Sequence, residues 1–169
     1  SSQNMLTQPW MGWGEKAYTL CARAEASEQV KPGNIKADGS YYITRAHDEK
    51  LSAKLYAAPA DAPGKMNYTD AKEYCSKLEA AGYDDWRLPE MSMSMALRYI
   101  ADRYSDETRS GTSFGKTFRA AAEGYWVDSS KTGMEKTSAF VAHRWKEKLV
   151  DVQEQHSVRC VRMSVPVKK

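Results

Sequence analysis

The stretch from Asn67 to Tyr104 constrains the fold most, because it predicts two consecutive helices joined by a short connector. Asn67 can cap the first helix with Asp70 as its capping-box partner, and Gly82 can end it. The inward face of this helix is predicted from the apolar spacing of Ala71, Tyr74, Cys75 and Leu78. A helical pair of this kind needs a second layer to cover its apolar faces.

The second helix follows the connector Asp84–Leu88. Pro89 is predicted at its first position, where the missing N–H of proline costs nothing. One face carries apolar side chains at steps of four, three and four, namely Met93, Leu97, Ile100 and Tyr104. The methionines in this helix are interpreted as core filler rather than as a cofactor site.

Strands are predicted on both sides of the helical pair. Upstream, Ser40–Thr44 favours a strand, whereas Ala46–Tyr56 is expected to be a short helix or a loop. Downstream, Ala139–Trp145 and Val158–Val165 are predicted strands, and Glu147–His156 is expected to form a turn or another short strand. The sequence therefore predicts an α+β fold.

Between the helices and the last strands, Ser105–Gly124 is polar and contains glycine, so it is predicted to be a long loop with room for one short element. The chain has 169 residues, of which 41% are hydrophobic and 28% charged, and this composition indicates one globular domain. The net charge of +3 argues against a nucleic-acid partner. No apolar stretch is long enough to predict a transmembrane segment.

The three cysteines are Cys21, Cys75 and Cys160. No CxxC pair or nearby histidine predicts a zinc site. In an exported protein the odd count indicates one disulfide and one remaining thiol, whereas in the cytosol all three would be reduced. Spacing alone does not decide between these alternatives.

Four blocks in the second part of the chain carry a family resemblance, and they are Tyr68–Cys75, Gly82–Pro89, Tyr125–Ser130 and Val158–Arg162. In this order they resemble the signature of the Lcl C-terminal domain family of bacterial exported proteins, and together they cover roughly residues 66–163. The third block departs from the family's Tyr-Trp-Ser-Ser pattern at Val127 and Asp128. That departure puts in doubt any ligand assignment that depends on the neighbouring loops.

The resemblance implies a C-type-lectin-like fold, in which two helices pack on a small, mostly antiparallel sheet beside a long loop region. It also implies a disulfide between Cys75 and Cys160, worth about 4 kcal/mol in the loop-closure picture. Residues 66–169 would form the C-type-lectin-like core, with residues 1–65 as an N-terminal extension of the same domain. Cys21 would then be a buried thiol, or it would form a bond to another chain or to a further part of the same protein.

Several signature residues invite a binding role, since an aromatic ring beside a guanidinium suits sugars and sulfates. A structural role is the preferred interpretation for all of them, namely Trp86, Arg87, Leu88, Pro89, Tyr125 and Trp126. The calcium-binding triplets of lectins are absent, so neither a metal nor another cofactor is predicted. No paired active-site cysteines and no catalytic triad are evident, so the protein is not expected to be an enzyme.

Cationic side chains in the long loop and the adjacent strands are the remaining candidates for a ligand site. They could bind acidic or sulfated glycans, although a plain solvated surface is the alternative. The candidate ligand-binding residues are Arg109, Lys116, Arg119, Arg144 and Lys146. The expected function is an adhesin-like binding domain, secreted or displayed at the cell surface. The alternative is an interaction subunit of an envelope machine such as a pilus or secretion system, with envelope proteins as partners.

Overall fold

The computed structural model of the protein describes residues 30–45, 53–104 and 113–164. The chain divides into two compact units. The second unit, Lys31–Lys169, contains every described residue except Val30. The helices in the described part of the chain are α1 (Tyr68–Lys77), α2 (Met91–Tyr104), α3 (Ser113–Thr117) and a 3₁₀ turn at Ser130–Thr132. The strands are β1 (Tyr41–Arg45), β2 (Lys54–Ala57), β3 (Tyr125–Trp126), β4 (Ser138–His143), β5 (Lys146–Asp151) and β6 (Val161–Ser164).

The described strands form two antiparallel sheets of three strands, in the orders β1-β2-β6 and β3-β4-β5. The α+β class is therefore confirmed, but the expected single small sheet is replaced by two. In the first sheet β2 lies in the centre, and Ala57 pairs with Val161 of the last strand. In the second, β4 and β5 form a hairpin in which Val141 pairs with Lys148.

Strand β2 is the clearest error of the sequence prediction, which gave a helix or a loop for Ala46–Tyr56. Leu55, Tyr56 and Ala57 are all buried because this central strand is covered on both faces. A strand buried on both faces lacks the alternation by which strands are recognised. The rest of that prediction, residues 46–52, lies outside the described residues.

The other strand predictions agree better with the structure. Strand β1 confirms the prediction for Ser40–Thr44, and β5 is the short strand that was one of the two alternatives for Glu147–His156. In β4, Ala139 and Val141 face the core at alternate positions. The last strand begins only at Val161, because the carbonyl groups of Val158 and Cys160 accept hydrogen bonds from the irregular segment 58–62 instead.

Helix α1 begins as predicted. The Asn67 side-chain oxygen accepts the backbone N–H of Asp70 at 2.9 Å, and Tyr68, Ala71 and Cys75 are buried. The helix ends at Lys77 rather than at Gly82, because Leu78 turns into extended backbone. Gly82, with φ of +81°, lies in the turn that follows.

We expect Asn67→Ala to lower the free energy of unfolding by about 1 kcal/mol, because it removes the side-chain acceptor for the Asp70 amide. Asn67→Asp keeps an acceptor at this position and should leave stability close to that of the native chain. Urea denaturation of the three proteins measures the difference. Equal losses in both variants would contradict a capping role for Asn67.

Helix α2 begins at Met91, two positions later than expected. Pro89 precedes the helix, where its side chain is buried and its carbonyl accepts the Asp128 amide at 2.8 Å. Leu97 and Ile100 are buried as the periodicity predicts. The predicted long loop contains α3, while residues 105–112 lie outside the described residues.

Two apolar cores fill the described part of the protein. The disulfide core lies around Cys75 and Cys160 and includes Tyr68, Ala71, Trp86, Leu88, Trp126, Val141 and Val158. The helix–sheet core lies between the first sheet and the helices α2 and α3, and includes Ile43, Leu55, Leu97, Ile100, Phe114, Tyr125 and Val161. Cys75 and Cys160 form the disulfide that the family resemblance implies, and this bond ties α1 to the residue before β6.

A buried arginine lies between Val158 and Cys160, which both belong to the disulfide core. Arg159 is fully buried, and its guanidinium donates hydrogen bonds to the carbonyl of Ala58, the carboxylate of Asp61 and both oxygens of Thr117. We call this group the Arg159 cluster, with Tyr125 as its fifth member because the Tyr125 hydroxyl donates to Asp61 at 2.8 Å. Burial and the Asp61 charge raise the pKa of Tyr125 above its usual range.

Candidate binding surface at the β4–β5 hairpin

The turn between β4 and β5 places a large aromatic side chain in solvent. Trp145 is 52% exposed, and Arg144 before it has a positive φ of 56°. The turn connects His143 to Lys146, which are paired across the hairpin. The exposed part of the indole offers an aromatic face that a ligand could contact.

The Trp145 ring is held in place by helix α2. The guanidinium carbon of Arg98 lies 5.5 Å from the ring centroid, within the range of a cation–π contact. Arg98 is in turn fixed by Asp102, whose carboxylate accepts its Nε–H at 2.8 Å. Since both partners are positioned before a ligand arrives, little conformational entropy would be lost on binding.

The hairpin turn is also anchored to the segment after α3. The backbone N–H of Arg144 donates to the carbonyl of Ala121 at 3.0 Å. Arg119, two residues before Ala121, donates from its side chain to the carbonyl of Lys116 at 3.2 Å. The hairpin turn therefore contacts Ala121, and we call the group Arg98, Lys116, Arg119, Arg144, Trp145 and Lys146 the hairpin surface.

The predicted ligand-binding residues fall into two groups. Four of them belong to the hairpin surface and are exposed, namely Lys116, Arg119, Arg144 and Lys146. Arg109 lies outside the described residues. Acidic residues are interspersed along β5, where Glu147 follows Lys146 and Asp151 ends the strand.

Sequence reasoning missed Trp145 and Arg98 as site residues. Trp145 is predicted only as the end of a strand, although a tryptophan between two cations at that position is a signal for a surface site. Arg98 gave no such signal, since its role depends on the packing of α2 near β4. Only the three-dimensional structure brings the two side chains together.

The signature tryptophans lie in the interior. Trp86 is buried and its indole N–H donates to the carbonyls of Ala80 and Tyr83, each at 3.1 Å. Trp126 is fully buried and donates to the carbonyl of Met66 at 2.7 Å. The remaining buried members of the signature are Leu88, Pro89 and Tyr125. These side chains are therefore not exposed to a ligand at the surface, and their structural role stays a prediction.

The two arginines near the edge of the first sheet have partners within the chain. Arg87 lies 3.4 Å from the Glu90 carboxylate. Arg162 is buried against the ring of Tyr83, 3.6 Å from its centroid, and its Nε–H donates to Asp85 at 2.7 Å. Both guanidinium groups are engaged by carboxylates, whereas Lys116, Arg144 and Lys146 of the hairpin surface have no ion-pair partner among the described residues.

Within residues 30–45, 53–104 and 113–164, no group of three or more histidine, cysteine or carboxylate side chains is arranged to hold a metal ion. The absence of a metal or cofactor stays a prediction. None of the helices in the described segments has the length and apolar character required to cross a bilayer.

The fold and the disulfide define a class, that of small α+β domains closed by a covalent bond between a helix and the last strand region. The Lcl C-terminal domain family matches residues 16–162, so the chain belongs to this family. The match begins well before residue 66, where the four quoted blocks start. No curated protein matches the chain. Family membership and the disulfide together indicate a bacterial domain of the exported type.

Proposed function

We propose that this protein is a non-catalytic binding domain, secreted or displayed at the bacterial cell surface, that recognises acidic or sulfated glycans through the hairpin surface. The observation that carries the proposal is Trp145, half exposed and held by Arg98 beside other cationic side chains. We also propose a C-type-lectin-like arrangement of the fold, which is supported by the pairing of a helix cysteine with one beside the last strand.

The chemistry of the hairpin surface suits a charged sugar. The apolar face of a pyranose ring can pack on the exposed part of an indole, whose large apolar area contributes most of the contact energy. Arg119 and Arg144 can donate paired hydrogen bonds to sulfate or carboxylate groups, as guanidinium groups do. Lys146 adds a further positive charge at the start of β5. Affinity should therefore depend on both the ring and the cations.

We expect Trp145→Ala to raise the dissociation constant for heparin by about tenfold, because it removes the central aromatic contact. Leu149→Ala is the matched control, since Leu149 is 49% exposed on the same hairpin but lies outside the hairpin surface. Binding is measured by isothermal titration at low and high salt, and the affinity should fall as salt rises. Unchanged affinity in the Trp145 variant, or no heparin binding at low ionic strength, would overturn the proposal.

We propose no catalytic role because the histidine that can be placed in most detail has a structural setting. His156 packs edge-on against Trp126 with ring centroids 4.9 Å apart, and its Nε2 lies 3.0 Å from the Glu154 carboxylate. No nucleophilic side chain is among these contacts. His47 lies outside the described residues.

A second candidate function is that of an interaction subunit in an envelope machine such as a pilus or secretion system. One observation favours it. A groove along α1 is lined by more acidic than basic side chains, whereas the hairpin surface is cationic. A domain with two surfaces of opposite character could bind a glycan with one and an envelope protein with the other. Co-purification from envelope extracts under mild detergent tests this function.

A further inference from the structure

A groove of about 530 Å³ lies along α1. Its lining residues are Met66, Asp70, Glu73, Tyr74, Lys77, Leu78 and Glu79. A second depression of about 460 Å³ shares Glu79 with it and continues through the turn to Asp84. We call the two together the α1 groove. It has no residue in common with the hairpin surface.

The floor of the α1 groove is apolar. Met66, Tyr74 and Leu78 are partly buried and pack against the disulfide core from outside. Their remaining exposed area faces the groove, so an apolar side chain placed there would be removed from water. The covalent bond at Cys75, one residue after Tyr74, holds this part of the helix to the rest of the domain. The side chains of the floor are therefore held in position before a partner binds.

The rim of the α1 groove is acidic. Glu73 is paired with Lys77, and the hydrogen bond from Lys77 lowers the pKa of Glu73. The carboxylates of Asp70, Glu79 and Asp84 have no ion-pair partner among the described residues. The rim thus carries an excess of negative charge on a protein whose net charge is +3.

We propose that the α1 groove is the docking site for a cationic segment of a partner protein, in which an apolar side chain is flanked by lysine or arginine. The apolar residue would lie on Met66, Tyr74 and Leu78, while the flanking cations would meet the unpaired carboxylates on the rim. A sulfated glycan is excluded from this site by the same carboxylates, because like charges brought together cost energy. An extended peptide can follow the groove from α1 into the turn at Gly82.

The test uses the full chain and arrayed short peptides with a central Leu flanked by Lys, by Ser or by Glu residues. We expect the Lys-flanked peptides to bind about tenfold more tightly than the Ser-flanked ones, and the Glu-flanked peptides to bind least. The double variant Asp70→Lys/Glu79→Lys should lose this preference. Glu147→Lys is the matched control, an exposed charge reversal outside the groove that should keep it.

Three outcomes would overturn the proposal. The first is equal binding of all three peptide sets, and the second is a preference that survives in the double variant. The third is a dimer in sedimentation velocity that the double variant abolishes while no peptide binds, which would make a second copy of this chain the occupant. Heparin titration of the same double variant separates this inference from the glycan proposal, because the hairpin surface is left intact.

Discussion

The Cys75→Ala/Cys160→Ala protein should have a free energy of unfolding about 4 kcal/mol below that of the bridged chain. The bond joins residues separated by 85 positions, so it removes much of the freedom of the unfolded chain. Both cysteines are buried in the disulfide core, where alanine adds no polar group and leaves little empty space. The loss should therefore come chiefly from the unfolded state.

Urea denaturation under non-reducing conditions measures this loss. Both proteins should carry Cys21→Ser, so that the third thiol cannot exchange with the bridge. The variant should show a lower midpoint and a larger dependence on urea, because its unfolded state is more expanded. A loss below about 1 kcal/mol would contradict a stabilising role for the bond. Non-reducing mass spectrometry of the native protein should recover Cys75 and Cys160 on linked peptides.

Arg159→Met should be comparably destabilising, by about 3–5 kcal/mol, because it breaks a buried charged cluster by removing one partner. The Asp61 carboxylate would lose the hydrogen bond from the guanidinium, and the Ala58 carbonyl and Thr117 would lose their donors. Methionine matches the arginine stem in volume and flexibility, so the loss should reflect polar groups left unsatisfied rather than an empty cavity.

Arg119→Met is the matched control, since Arg119 is exposed and makes one hydrogen bond to a neighbouring carbonyl. Its effect should stay within about 0.5 kcal/mol. Thermal and urea unfolding of both variants provide the comparison. If Arg159→Met unfolds with a stability close to that of the control, the Arg159 cluster does not hold the segments together as its geometry indicates.

Local features of the fold could be predicted from the sequence, because their causes lie within a few residues. The Asn67 cap and the buried face of α2 follow from the spacing of a few side chains. Strand β2 could not be predicted in this way, since its central place between β1 and β6 removes the alternation that marks a strand. The end of α1 was misplaced because Gly82 serves the next turn instead.

The candidate site could be predicted only in part from the sequence. An arginine has the same appearance in the sequence whether it is buried or exposed, and Arg159 and Arg119 show both outcomes. Burial of Arg159 depends on the Ala58 carbonyl, which is 101 positions away in the sequence. The hairpin surface likewise depends on the contact between Arg144 and Ala121, which no local pattern encodes.

Three consecutive residues, Arg159, Cys160 and Val161, connect the two cores of the described part of the chain. Arg159 centres its own cluster, Cys160 belongs to the disulfide core, and Val161 belongs to the helix–sheet core. Neither core can open fully without displacing this tripeptide, and its displacement would disturb the other core at the same time. The two cores should therefore melt together in one cooperative transition, and their slowest-exchanging amides should exchange through the same global opening.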